Sequence, residues 1–102
     1  IVLLTPVHRG YASFGPKNVQ PGESYANGRG LFLDDYVAAI KEAGNVWAVK
    51  VVDLHAVSGL FPNARAQDAW ISNPQRDRLH PSTAGHARMA EAIALEVGDL
   101  LK

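Results

Sequence analysis

A carboxylate and an imidazole lie three residues apart in the C-terminal third of the chain, at Asp77 and His80. A carboxylate that accepts the Nδ1–H of an imidazole fixes its tautomer, directs Nε2 towards a hydroxyl nucleophile and stabilises the imidazolium that forms. The spacing therefore predicts two members of a catalytic triad, with Asp77 as the orienting acid and His80 as the general base. A solvated polar loop is the alternative interpretation, because many acidic residues precede a histidine by three positions.

The surroundings of the pair favour the catalytic interpretation. Pro81 follows His80, and Ser82 precedes an apolar-periodic stretch as the predicted N-cap of a helix. The pair also follows a predicted strand, at the point where an open α/β sheet is expected to carry a catalytic loop. In this position Ser82 is a cap and not a nucleophile.

Strands and helices alternate along the chain. Residues 1–4 are an apolar run ended by Pro6, which predicts a short parallel strand covered on both faces. Apolar residues recur at helical spacing over 31–47, residues 50–54 predict a second strand, and an apolar stripe after residue 82 predicts a terminal helix. The order strand, helix, strand, loop, helix indicates the α/β class, with a parallel sheet, helices on both faces and a right-handed crossover.

The catalytic pair and two upstream segments resemble the C-terminal half of the SGNH (GDSL-type) hydrolases. Asp77, His80 and Pro81 are similar to the last block of that family, Asp-x-x-His followed by Pro. Residues 1–9 (IVLLTPVHR) resemble a strand and its active-site loop, and residues 51–58 (VVDLHAVS) resemble the next strand. The resemblance covers nearly the whole chain. It implies a flavodoxin-like three-layer α/β/α fold, with residues 1–102 as the C-terminal portion of one domain.

The upstream blocks of the family are absent from the sequence. It contains no Gly-Asp-Ser block, no oxyanion-hole glycine block and no Gly-x-Asn-Asp block, and none of its serines follows Gly-Asp. We therefore expect the chain to be cut from a longer protein, to lack the nucleophile and to be inactive alone. A two-stranded sheet is marginal in water, so the missing N-terminal half or a second copy of the chain is an expected partner.

The resemblance implies a serine esterase that removes an O-acetyl or other short acyl group from a carbohydrate. A small-molecule or carbohydrate ester is then the expected substrate, and a polysaccharide ester would imply a periplasmic or secreted protein. The alternative is a non-catalytic carbohydrate- or protein-binding module on the same scaffold, because one fold hosts many functions.

A Gly-, Pro- and Asn-rich segment over residues 10–30 predicts a long loop. Loops of about 20 residues are uncommon inside compact domains and often bind ligands. Its candidate substrate-binding residues are Tyr11 and Asn27, with Phe14 and Tyr25 as further aromatic candidates. The alternative is that these aromatic side chains only attach the loop to the core.

Two further candidates for substrate binding follow the predicted strands. Arg9 comes after the first strand and His55 after the second, and ligands bind at the carboxyl ends of strands in open sheets. A surface ion pair is the alternative role for Arg9.

A metal site is the rival interpretation of the histidines. Asp77, His80 and His86 could act as ligands, with His8 or His55 as a further one. The spacing argues against it, because ligands on one helix face come three or four residues apart, as in His-Glu-x-x-His. We predict no metal and no cofactor.

The composition excludes several classes of function. The 102 residues carry a formal net charge of zero without a basic block, so neither nucleic acid nor a membrane is an expected partner. The absence of cysteine excludes disulfides, thiolate catalysis and Cys-ligated zinc. A hydrophobic fraction of 47% is enough for the core of one modest domain.

Overall fold

A computed structural model describes residues 1–101. The strands are β1 (Val2–Leu4), β2 (Ala12–Ser13), β3 (Val19–Gln20), β4 (Lys50–Val52), β5 (Ile71–Asn73) and β6 (Asp77–Pro81). The α-helices are α1 (Leu33–Trp47), α2 (Leu54–Val57) and α3 (Thr83–Val97), and short 3-10 helices cover Arg65–Trp70 and Gly98–Leu101. No helix within residues 1–101 is both long enough and apolar enough to span a membrane.

The two predicted strands, β1 and β4, form a parallel pair. Val2 lies opposite Lys50 and Leu4 opposite Val52, and the Thr5 N–H continues the ladder to the Val52 carbonyl at 3.1 Å. Helix α1 connects the two strands in sequence and contacts both. The predicted α/β class and the predicted parallel pairing are therefore confirmed.

A second, antiparallel sheet was not predicted. Its strand order is β3-β2-β6-β5. The segment predicted as a long loop supplies β2 and β3, and the predicted catalytic loop is the strand β6. Strands of two or three residues are too short for an alternation pattern, so the sequence showed only the turn residues between them. Their backbone groups are paired, as when Ser13 N–H donates to the Arg76 carbonyl at 2.7 Å.

The core lies where α3 covers the parallel pair. Val52, Leu54 and Ala92 are buried, and four partly buried apolar side chains pack against them: Val7, Met89, Ile93 and Val97. Three of these four lie on α3, together with Ala92, and form the apolar stripe predicted for the terminal helix. Burial of this stripe holds α3 against β4.

Strand β1 is less covered than its apolar sequence predicts. Val2 and Leu4 are 36% and 45% exposed, so the expectation of cover on both faces is wrong within this chain. The accessible surface of 6892 Å² exceeds the roughly 5,600 Å² typical of a compact monomer of this mass. The radius of gyration, 14.8 Å, also exceeds the about 13 Å of a compact chain of this length.

We expect the isolated chain to associate. The outer edges of β1 and β4 carry no further strand among the described residues, and apolar surface worth roughly 25 cal/mol per Å² stays in contact with water. Light scattering after size exclusion should give a mass of at least twice 11.0 kDa. A monomer that unfolds cooperatively at micromolar concentration would show that the chain closes its own core.

The substitution Gly44→Ala should destabilise the fold. A Cβ at Gly44 of α1 would lie 2.2 Å from Val51 Cγ2 and 3.1 Å from the Val49 carbonyl oxygen. The gain in helix propensity is about 1 kcal/mol, whereas overpacking costs about 1–3 kcal/mol. Urea denaturation should therefore show a net loss in the free energy of unfolding. Gly28→Ala is the matched control, because no heavy atom lies within 4 Å of its Cβ.

Candidate active site

The candidate catalytic pair lies on a strand that is hydrogen-bonded along both edges. Strand β6 pairs with β5 through the Ile71–Pro81 and Asn73–Asp77 positions, and with β2 through Ala12 opposite Asp77. The Arg76 N–H donates to the Asn73 carbonyl and closes the turn between β5 and β6. Asp77 therefore stands at the start of a strand whose backbone is fixed on both sides.

The side chain of Arg78 anchors the same strand from its opposite face. Its Nε donates to the Pro62 carbonyl at 2.5 Å and its Nη1 to the Pro74 carbonyl at 2.7 Å, while Nη2 pairs with Asp68. Neighbouring side chains of a strand point to opposite faces. Arg78 therefore ties β6 to the surrounding loops without occupying the Asp77 carboxylate, whose partners are Leu79 and His80.

The Asp77 carboxylate accepts three hydrogen bonds from its own strand. Oδ1 accepts the backbone N–H groups of Leu79 at 2.8 Å and His80 at 3.0 Å, and Oδ2 lies 2.7 Å from His80 Nδ1. An ionised carboxylate can only accept, so Nδ1 carries the proton and Nε2 of the neutral ring presents its lone pair. This is the orientation that a general base requires.

The electrostatics keep Asp77 ionised. Burial raises the pKa of Asp77, but the hydrogen bonds from the His80 and Leu79 backbone and from the His80 ring outweigh burial, and the pKa lies below its ordinary value of 3.8. A carboxylate in this state holds the imidazole and stabilises its protonated form.

The imidazole is open to an incoming group. Asp77 is 8% exposed, whereas the side chain of His80 is 61% exposed. The Phe14 ring and the imidazole form an edge-to-face pair, with the ring centroids 5.8 Å apart. Within residues 1–101 the His80 ring hydrogen-bonds to Asp77 and to no serine hydroxyl. The exposed face of His80 could therefore receive a nucleophile from outside this chain.

A broad cleft of about 800 Å³ adjoins the pair. Its lining is provided by the β2–β3 turn and the β5–β6 hairpin: Ser13, Phe14, Gly15, Pro16, Ser72, Asn73, Arg76 and Asp77. Phe14, a candidate substrate contact in the sequence analysis, and Asp77 both line this cleft and contact His80. Two hydroxyl groups, one amide, the Arg76 guanidinium and the Asp77 carboxylate surround the Phe14 and Pro16 rings. This mixed lining suits a ligand with both polar and apolar faces.

Ser82 is the N-cap of α3, as predicted. Its hydroxyl accepts the Gly85 N–H at 3.2 Å and donates to the Ala69 carbonyl at 2.9 Å, and its backbone N–H donates to the Trp70 carbonyl. The hydroxyl is therefore engaged at both ends in fixing the start of α3. His86, one turn further on, hydrogen-bonds through Nδ1 to the Ser82 carbonyl.

The other predicted substrate-binding residues lie away from the lining of that cleft. Arg9 and Asn27 share a second cleft of about 190 Å³, and Tyr11 lines a neighbouring one of about 450 Å³. Asn27 also organises its loop, because its Oδ1 accepts the N–H groups of Arg29 and Leu31. Arg9 Nε and Nη2 are buried without a hydrogen-bond partner, so its guanidinium retains donors for a ligand.

His55 lies in a cluster that the sequence analysis missed. It meets His8 and Glu23 at the carboxyl ends of β1 and β4, and Glu23 comes from the segment predicted as a loop. Asp77, His80 and His86 do not belong to any such potential metal-binding group in the described part of the chain. No local spacing could have found the cluster, because its members are 15 and 32 residues apart in sequence.

The chain matches no protein-family model and no curated protein. It does match solved structures. One crystal structure is 31% identical, covers 96% of this chain and 42% of its own, and superposes with a TM-score of 0.78. A possible lipase from Chitinophaga pinensis is 24% identical, covers 98% of this chain and 52% of its own, and has a TM-score of 0.71.

A third structure is the salicylyl-acyltransferase SsfX3 from a tetracycline biosynthetic pathway. It is 19% identical, covers 98% of this chain and 26% of its own, and has a TM-score of 0.63. The chain therefore spans about half or less of the length of each of these structures. The likeness to the latter two establishes an α/β fold, and this chain aligns with only part of each of those longer structures.

The stability of the fold should decrease in acid, with Asp77 contributing. Because the pKa of Asp77 is lower in the folded protein than in the unfolded chain, the unfolded chain binds more protons between the two values. The stabilisation is complete above the unfolded value, about 3.9, and is lost as the pH falls through the folded value. Urea midpoints across this range should decline less steeply in Asp77→Asn, and a wild-type slope in that variant would contradict the assignment.

Proposed function

We propose that the protein containing this chain is a serine esterase of the SGNH type, in which His80 is the general base and Asp77 the orienting acid. One observation supports this most strongly. A buried, ionised carboxylate lies 2.7 Å from the Nδ1 of an imidazole whose side chain is 61% exposed. A structural ion pair has no need of an open Nε2 beside a cleft, whereas a general base does.

The proposed reaction proceeds in two acyl transfers. His80 Nε2 removes the proton of a serine hydroxyl as that oxygen attacks the ester carbonyl, and the imidazolium then protonates the leaving alcohol. Water repeats the attack on the acyl-enzyme with His80 again as the base. The serine and the N–H donors for the oxyanion come from residues outside this chain.

The structural neighbours support the acyl chemistry in general terms. One is described as a possible lipase and another as an acyltransferase, and both names denote transfer of an acyl group, to water or to another acceptor. Because one fold hosts many functions, the Asp77–His80 pair is the stronger support for esterase chemistry.

The finer proposal is a short acyl ester of a carbohydrate as substrate. The cleft beside Asp77 is open, and its lining combines the Phe14 and Pro16 rings with hydroxyl, amide and guanidinium groups, which suits a sugar ring better than a long acyl chain. A polysaccharide ester as substrate would require a periplasmic or secreted protein.

Substitutions of the pair should abolish turnover in the complete protein. His80→Ala removes the base, so nearly all hydrolysis of a chromogenic acetate ester should be lost. Asp77→Asn should lower kcat by a factor on the order of 10⁴, because an amide cannot hold the required tautomer. His86→Ala is the matched control and should keep wild-type turnover, since His86 is exposed and its ring hydrogen-bonds within residues 1–101 to the Ser82 carbonyl, away from Asp77 and His80.

Labelling with a serine-directed phosphonate completes this experiment. The label should attach to one serine of the complete protein and to none in the isolated chain, which should hydrolyse the ester no faster than a histidine-containing peptide. Wild-type turnover in His80→Ala would overturn the assignment. Absence of both labelling and turnover in the complete protein would favour a carbohydrate- or protein-binding module on the same scaffold.

A further inference from the structure

Three side chains that are remote in sequence meet at the carboxyl edge of the parallel pair. His8 follows β1, and His55 lies in the first turn of α2, directly after β4. Parallel strands end at the same edge of a sheet, so the two imidazoles are brought together. Glu23 approaches them from the segment between β3 and α1, where its N–H donates to the Arg9 carbonyl at 3.3 Å.

We propose that His8, Glu23 and His55 form a binding site for a divalent transition metal, with Zn²⁺ as the best-matched ion. One nitrogen from each imidazole and one carboxylate oxygen all lie within 4.8 Å of one another. Two imidazoles and a carboxylate are the donor set of many zinc sites that keep a fourth position open. The two imidazoles disfavour ions such as Mg²⁺ and Ca²⁺, which prefer oxygen ligands.

The distances are close to those of a coordinated ion. Tetrahedral bonds of about 2.0–2.1 Å place neighbouring ligand atoms about 3.3 Å apart. His8 Nδ1 lies 2.8 Å from Glu23 Oε1, and His55 Nε2 lies 3.3 Å from Glu23 Oε2. The two rings lie against each other with centroids 3.6 Å apart and an angle of 38° between their planes. An ion between them requires the rings to rotate apart.

The three ligands are shielded and supported. The exposed fractions of their side chains are 24% for His8, 14% for Glu23 and 16% for His55. Thr5 Oγ1 accepts the His55 N–H at 3.0 Å and donates to Asp53 at 3.0 Å, and Asp53 in turn caps α2. This network fixes the backbone that carries His55, and such supporting contacts orient metal ligands.

One side of the cluster is open and acidic. Asp34 Oδ1 lies 3.6 Å from His55 Nε2, and its side chain is 84% exposed. A carboxylate there attracts a cation and can supply or orient the fourth ligand. An ion bound here would tie the Glu23 segment to the ends of β1 and β4, which gives it a role in stability that is independent of the Asp77–His80 pair.

The alternative for these residues is a hydrogen-bonded cluster without an ion. In that arrangement Glu23 accepts an N–H from each neutral imidazole, so both imidazole donors and the carboxylate have hydrogen-bond partners. In the metal site, an ion replaces the proton on His8 Nδ1 and on His55 Nε2, whereas the hydrogen-bonded cluster keeps both protons. The two arrangements therefore differ in the state of these two ring nitrogens.

Equilibrium dialysis of the chain against Zn²⁺ tests the proposal. One ion should bind per chain, and each of His8→Ala, His55→Ala and Glu23→Gln should weaken binding by at least about tenfold, the loss usual even for supporting residues. Glu23→Gln keeps the size of the side chain but replaces one acceptor oxygen by an NH2 donor. Comparison of its far-UV circular dichroism with that of the wild type separates loss of a ligand from loss of the fold. His86→Ala is the matched histidine control and should bind as the wild type does.

Two-bond proton–nitrogen NMR of the imidazole rings supplies the second measurement. Zn²⁺ should shift His8 Nδ1 and His55 Nε2 and leave the nitrogens of His86 unchanged. Binding that is equal in wild type and Glu23→Gln, or shifts confined to His80 and His86, would overturn the proposal. These outcomes do not depend on ester hydrolysis, so the metal site and the esterase function can each fail without the other.

Discussion

The candidate site depends on the hydrogen bonding of strand β6 along both edges. Strand β6 lies between β2 and β5 in the antiparallel sheet. Because the backbone at Asp77 is fixed by both neighbours, its carboxylate can accept the N–H groups of Leu79 and His80 and still reach the imidazole. The Asp-x-x-His sequence forms its hydrogen-bonded pair in the structure because both neighbouring strands hold β6 in place.

The parallel pair imposes the second constraint. Strands β1 and β4 end at one edge, and each is followed directly by a histidine-bearing segment and by hydrogen-bonding side chains such as Thr5 and Asp53. Burial raises the pKa of Asp53, but the Thr5 hydroxyl, Lys41 and the Ala56 N–H outweigh burial and lower the pKa overall. One small carboxylate thus joins β1, α1 and α2 at the edge where Glu23 meets the imidazoles.

The large exposed apolar surface agrees with the coverage of the structural neighbours. The chain accounts for about half or less of their lengths, and its β1 strand keeps Val2 and Leu4 partly in water. The core made of Val52, Leu54 and Ala92 lies between α3 and the parallel pair, and α1 also contacts both strands. This exposure destabilises the isolated chain, because apolar surface next to an unpaired strand edge favours association.

The sequence by itself determined the two long helices and the side-chain contacts between residues that are close in sequence. Helical spacing predicted α1 and α3, Ser82 was recognised as a cap, and the Asp77–His80 spacing predicted a pair that the structure joins at 2.7 Å. Tertiary structure decided the rest. Strands as short as β2 carry no periodic pattern, because two residues cannot show an alternation. Strand β2 forms by pairing with β3 and β6, which are distant from one another in sequence. The meeting of His8, Glu23 and His55 depends on parallel strands ending at one edge, a contact between distant residues that no local pattern contains.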